Sequence, residues 1–147
     1  RSKEQLQLQV LQEAVDRFIA QVVRPALAEP RGEPRVRALM RNWLGWSKGQ
    51  PGGCLIHSAS SELDDRPGPL RDFLHDAHRQ LRNTVVIAAQ KSIEAGHFRA
   101  DLDAEQFAFE FAAVALGFHH ASRLLRDPAA EERAFRMFER LIASARR

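Results

Sequence analysis

Cysteine occurs once in these 147 residues, at Cys54, which excludes an internal disulfide framework and fits a reducing compartment. Long hydrophobic runs are missing too. The longest uncharged apolar run, Phe111 to Phe118, is far shorter than the roughly 20 residues that span a bilayer. No stretch alternates apolar and polar residues for long enough to form a strand, and β-branched residues are few, which argues against a sheet. Charge of one sign is also lacking: 22 basic and 19 acidic residues leave a net charge of only +3. The arginines are spread from Arg1 to Arg147, usually beside carboxylates, so the positive charge is not gathered on one face as nucleic-acid binding requires. The charged, glutamine-rich start, Arg1 to Glu13, does not read as a secretion signal. The expectation is one soluble, cytoplasmic domain over residues 1–147, with no membrane contact.

The machinery of catalysis is equally scarce. Gly49 to Gly53 lacks the lysine and hydroxyl of a phosphate-binding loop. Glu62, Asp64 and Asp65 read as a solvated acidic patch. His75 and His78 stand three apart and could share a metal on one helix face, but no third ligand is evident. His119 and His120, being adjacent, point to different sides of their helix. No enzyme activity, no metal site and no cofactor are expected.

What is present is helical periodicity, with 44% hydrophobic residues to build a core. Ser2 can cap a first helix, with Gln5 placed for the reciprocal bond of a capping box. Leu8, Leu11, Val15, Phe18 and Val22 form its apolar stripe, and Pro25 is expected to help end it. A second helix runs from about Pro34 to Trp46 or Ser47 on a stripe of Val36, Leu39, Met40 and Trp43. A short helix follows from Cys54 to about Ser61. The third long helix begins after Pro67 and Pro69 and ends at Gly96, with Leu70, Leu74, Ala77, Leu81, Val85 and Ala88 as its seam.

The last two helices carry surplus apolar surface. Asp103 caps one, on which Phe107, Phe111, Val114 and Phe118 form one apolar face, and Phe109, Ala113, Leu116 and Gly117 form another. Asp127 and Pro128 open the other, whose apolar arc takes in Ala134, Phe135, Met137, Phe138, Leu141, Ile142 and Ala145. Left bare, such surface exceeds what a soluble monomer tolerates. The economical solution is a homodimer in which this pair meets its own copy in a four-helix bundle. The interface is expected to use Phe109, Ala113, Leu116, Gly117, His120, Phe135, Phe138 and Ile142, with Gly117 allowing close approach. The fold class is all-α, with about six helices.

Four stretches give this layout a likeness. They are Arg1 to Leu6, Gly52 to Ile56 with Glu62 downstream, Glu94 to Asp103, and Phe107 to Gly117 followed by Asp127-Pro128. In order and spacing they resemble the ligand-binding and dimerisation region of TetR-type transcriptional repressors. The resemblance implies an effector pocket between the second, short, third and first dimer helices. Carried onto this sequence, it nominates Trp43, Trp46, Cys54, His57, Phe73, Phe111, Phe118 and His119, a lining suited to a hydrophobic or aromatic effector. It also implies operator DNA as a partner, through a helix-turn-helix that would precede Arg1 and that the 147 residues do not include; the sequence is expected to be a truncated product. His97 departs from the acidic residue the family often has there, at a position expected to be exposed and of little consequence. Two other readings stay open: a redox or electrophile sensor acting through Cys54, with His57 one turn on, and a purely structural dimerisation module with a filled core.

Overall fold

Side chains fix where the helices start. Ser2 Oγ accepts from Gln5 N at 3.1 Å, and Gln5 Oε1 accepts from Ser2 N at 3.0 Å. This closes the expected capping box ahead of helix α1 (Lys3–Phe18). Asp103 Oδ1 likewise accepts from Gln106 N at 3.0 Å at the head of α6 (Ala104–Arg123). The computed structural model describes residues 2–146. Arg1, the first residue of the Arg1–Leu6 likeness, and Arg147 lie outside the described residues.

Pro25 does not end the first helix. A π-helical turn, Ile19–Val23, follows α1 and leads directly into α2 (Arg24–Leu27), so one rod continues past the proline. The wider turn relieves the clash and the missing donor that a proline brings to a helix interior. Asn42 of the next helix donates Nδ2 to Val22 O at 3.1 Å, giving that carbonyl a partner from outside the rod. The remaining helices are α3 (Glu33–Gly49), α4 (Leu55–Leu63), α5 (Pro69–Glu94) and α7 (Ala130–Ala145). Among the described residues the only strand-like feature is an isolated bridge between Phe98 and Arg146. No helix there is long and apolar enough to cross a membrane.

His97 carries more than its exposure implied. Its Nδ1 accepts from Glu33 N at 3.0 Å, capping the start of α3 from 64 residues away. The approach depends on Gly32, whose φ is +108° and where an added Cβ would lie 2.2 Å from His97 Nδ1. The first residue of α3 also anchors the end of the chain. Glu33 accepts from Arg37 Nε at 2.9 Å and from Arg146 at 2.7 and 2.8 Å, while Arg37 reaches on to Glu139 of α7. The Arg146 hydrogen bonds, with those of Arg37, hold the Glu33 carboxyl at about 2.

The core is built on α6, which packs most extensively on α7 and α5. Phe107, Phe111, Val114 and Phe118 are all buried on its inner face, as are Val36, Leu39, Met40 and Trp43 of α3. A row of edge-to-face rings crosses the interior: Trp46 to Phe18 at 5.7 Å, Phe18 to Trp43 at 4.7 Å, Trp43 to Phe111 at 5.7 Å and Phe111 to Phe138 at 6.0 Å. On the outer face, Phe109 and Leu116 are 58% and 53% exposed, and Met137 of α7 is 51% exposed. Two residues expected on that face are elsewhere. Phe138 and Ile142 are buried in the chain's own core, because the apolar arc of α7 is divided between α6 and the outside. Phe135 is half-buried, and Ala113, Gly117 and His120 lie toward the outer side. Nothing within the chain requires a glycine at 117, since no atom lies within 4 Å of a Cβ added there.

Two changes test this framework. Phe111→Ala removes the ring shared by α3, α6 and α7, and urea denaturation should show a loss of about 3–5 kcal/mol. For Glu33, the folded carboxyl titrates near 2 against 4.5 in the unfolded chain. Its contribution is therefore present above about pH 4.5 and is lost as pH falls toward 2. Glu33→Gln should be less stable than wild type by about 1–2 kcal/mol at pH 7 after solvent screening, with the two unfolding curves converging toward pH 3.

Candidate functional site

Four helices that converge without filling the space between them line a partly open cavity of about 260 Å³. α3 contributes Trp43, α4 contributes His57, Ser60 and Ser61, and α5 contributes His78, Leu81, Arg82 and Val85. α6 closes the space with Ala108, Phe111, Ala112, Ala115 and Leu116. The small residues Ala108, Ala112 and Ala115 recur along one side of α6, and it is their lack of bulk that leaves the room. A larger groove of about 810 Å³ runs beside His75, Arg79, Arg82, Asn83 and Glu105. It is walled mainly by polar and charged side chains and lacks the apolar enclosure of a ligand site.

Three histidines from three helices meet beside this cavity, with His57 and His78 on its wall and His119 behind His57. The His57 ring stacks on His119 with centroids 5.3 Å apart and planes 22° apart, and it lies edge-on to His78 at 6.1 Å. Ser60 links the group to the backbone: its Oγ is 2.7 Å from Ile56 O and 2.7 Å from His78 Nε2. With the hydroxyl proton given to Ile56 O, His78 must donate its Nε2–H to Ser60 Oγ. Burial, reinforced by His78 and His119, pushes His57 down to about 4. Burial also lowers His78, and for His119 burial is joined by Arg123 and His120. The cluster is therefore neutral around pH 7. Among the described residues four side-chain polar atoms are buried with no partner: Trp43 Nε1, Trp46 Nε1, Ser47 Oγ and His119 Nδ1. The indole nitrogens can only donate, so each such N–H lacks an acceptor.

The structure brings together some of the nominated residues and not others. Trp43, His57 and Phe111 line the cavity, and His119 stacks behind His57. Trp46 packs against Phe18, and Phe118 and Cys54 are buried in the general core. Phe73 is on the far side of α5, in a surface groove with Val15 and Ile19. Cys54 occupies the N-cap position of α4 and is 1% exposed. An electrophile finds no open path to its sulfur, which counts against the sensor reading. The sequence reading missed His78, Ser60, Arg82 and the alanines of α6. It paired His78 with His75, yet His75 is exposed and meets Asp76 at 3.2 Å. Among the described residues no group of three or more His, Cys, Asp or Glu side chains is placed to hold a metal.

Comparison with known proteins now fixes the class. Residues 32–138 match the family described as tetracyclin repressor-like, C-terminal domain. A TetR transcriptional regulator from Chloroflexus aurantiacus J-10-FL superposes with a TM-score of 0.82 at 25% identity, over 97% of this chain and 71% of that one. AibR, solved in complex with isovaleryl coenzyme A and operator DNA, superposes with a TM-score of 0.70 at 21% identity, over 93% of this chain and 75% of that one. No curated protein sequence matches this one. The matched span covers most of the sequence, and the chain belongs to the tetracyclin repressor-like C-terminal domain family.

The state of the histidines can be read directly. In a proton NMR titration of the imidazole resonances, the His57 signal should remain that of the neutral ring down to pH 5 and titrate near 4. A His57 midpoint at the ordinary 6.5 would mean that the ring is solvated rather than enclosed.

Proposed function

We propose that this chain is the effector-sensing and dimerising part of a TetR-type transcriptional repressor, without catalytic activity of its own, and that the cavity between α3, α4, α5 and α6 receives the effector. The observation that carries the reading is that cavity, with apolar walls and a small set of convergent polar groups. At about 260 Å³ the space is slightly below the range of drug-sized pockets, roughly 300–1,000 Å³. That supports a compact effector. A whole coenzyme A thioester, such as the ligand of AibR, would not fit inside it.

The exposed apolar side chains of α6 and α7 support pairing with a second copy of the chain. Phe109, Leu116 and Met137 lie on an outer face that a symmetric partner would cover. Leu116 belongs both to this face and to the cavity rim, so an occupant touching it would bear on the dimer contact as well. Effector binding would act by favouring one arrangement of α1 and its partner copy over another, and only a difference in affinity between the two states can do so. In an intact repressor, operator DNA would be read by a helix-turn-helix ahead of α1.

Native mass spectrometry of the purified chain tests both halves. The expected result is a dimer, with small-molecule mass retained by wild type and absent from Ala115→Phe, whose added ring occupies the cavity. A monomer defeats the dimer. Retention of the same small-molecule mass by Ala115→Phe places the ligand elsewhere and defeats the cavity as the effector site.

A further inference from the structure

We propose that the occupant of this cavity is a small carboxylic acid with an apolar body, bound as its anion while the histidine cluster takes up one proton. The inference rests on the cavity being the effector site, and it names the chemistry of the ligand.

The first ground is the inventory of polar groups. The walls offer the Ser60 and Ser61 hydroxyls, the imidazoles of His57 and His78, and the Arg82 guanidinium, and no carboxylate lines the space. A cationic ligand would find no counter-charge here. The Arg82 guanidinium and the Ser61 hydroxyl favour a ligand that accepts hydrogen bonds.

The second ground is the set of charges facing the cluster from each helix. On α5, Arg82 stands at the rim with its nearest acid, Glu105 of α6, 3.9 Å away. On α6, burial together with Arg123 and His120 lowers His119, and Arg123 is a fixed positive charge there. Beyond Ser60, Asp64 and Arg71 border a separate groove that His78 and the exposed His75 also reach. From α3 the lining residue is Trp43, which has no charge. A proton entering the cluster therefore has no anion within the cavity to balance it. Burial, with His78 and His119 beside it, keeps His57 neutral, and nothing in the cavity wall offsets it. A bound carboxylate supplies the missing charge. The balance is closed: carboxylate anion, neutral imidazole and one solvent proton give a carboxylate–imidazolium pair, with no bond made or broken in the ligand. A neutral acceptor such as an amide would pair with the wall donors but would leave the histidines unchanged.

The third ground is the remainder of the wall. Leu81, Val85, Phe111, Ala112 and Ala115 are apolar, so the acid must carry a hydrocarbon or aromatic body opposite its head.

The test uses phenylacetate and hexanoate as probes, each against its own amide, by titration calorimetry of the purified dimer in two buffers of different ionisation heat. The expected result at pH 6 is that the acid binds at least about tenfold tighter than the amide. It should take up close to one proton, and its affinity should fall by up to about tenfold per unit as pH rises from 6 to 7.5. His57→Asn should remove the proton uptake and the pH dependence. His57→Phe, with its helical circular dichroism checked against wild type, gives a second variant should the first fail to fold. If an amide binds as tightly as its acid, or an acid binds without proton uptake, the carboxylate assignment is overturned. Loss of that binding in Ala115→Phe would then show that the effector site itself still stands. If neither acid nor amide binds, the assignment is overturned too, and the native mass spectrum decides separately whether the effector site falls with it.

Discussion

The structure depends on the position of one ring. Phe111 is fully buried at the middle of α6 and touches Trp43 of α3 on one side and Phe138 of α7 on the other. Trp43 in turn meets Phe18 of α1, which meets Trp46. Edge-to-face pairs of this kind are each worth about 0.5–1.5 kcal/mol beyond their burial, and each fixes the angle between the helices that carry it. Four helices are thereby set around a common row. The cavity is what remains beside that row where the facing side of α6 offers alanine in place of a larger side chain. Its existence follows from the distribution of bulk along α6, large at Phe107, Phe111 and Phe118, small at Ala108, Ala112 and Ala115.

The polar side of the cavity comes from another source. α4 is short and opens on a buried Cys54 after the glycine turn, which brings His57 and Ser60 against α5 and α6. At Gly53, with φ +81°, an added Cβ would lie 2.9 Å from the Arg123 side chain, so this turn and the end of α6 approach closely. Ser60 ties His78 to the α4 backbone, and His119 lies flat on His57. Residues that are isolated in sequence thus become one titratable unit, and its neutrality is a consequence of enclosure among donors.

Much of the fold was legible because it rests on local physics. The capping box at Ser2 and Gln5, the cap at Asp103, the stripes of α3 and α5, and the inner phenylalanines of α6 all follow from spacing within a few residues. What was not legible rests on partners far away in sequence. Pro25 stays inside a helical rod because a π-turn absorbs it and Asn42 serves the Val22 carbonyl. His97 is structural because Glu33 N, 64 residues away, points at it. The apolar arc of α7 was visible, but its division between core and exterior was not: Phe138 and Ile142 went inward and Met137 outward. In the site, the helices flanking the cavity followed from the family resemblance, whereas the pairing of His78 with Ser60 and His57 required the angle between α4 and α5. A stripe on one helix cannot report what the neighbouring helix presents to it.

The same contacts define how an occupant could be felt at α1. A molecule seated against Trp43 and Phe111 touches the row whose next member is Phe18, the last residue of α1 before the π-turn. The turn places an extra residue in the helical register just there, and such turns are points where a helix can change register at low cost. The row and the turn together supply contiguity between the cavity and the first helix. Contiguity does not by itself make a switch: an effector shifts α1 only by the difference in its affinity for two positions of that helix. The ring pair most able to generate that difference is Trp43 with Phe18, because Trp43 is the one member of the row that faces both the cavity and α1.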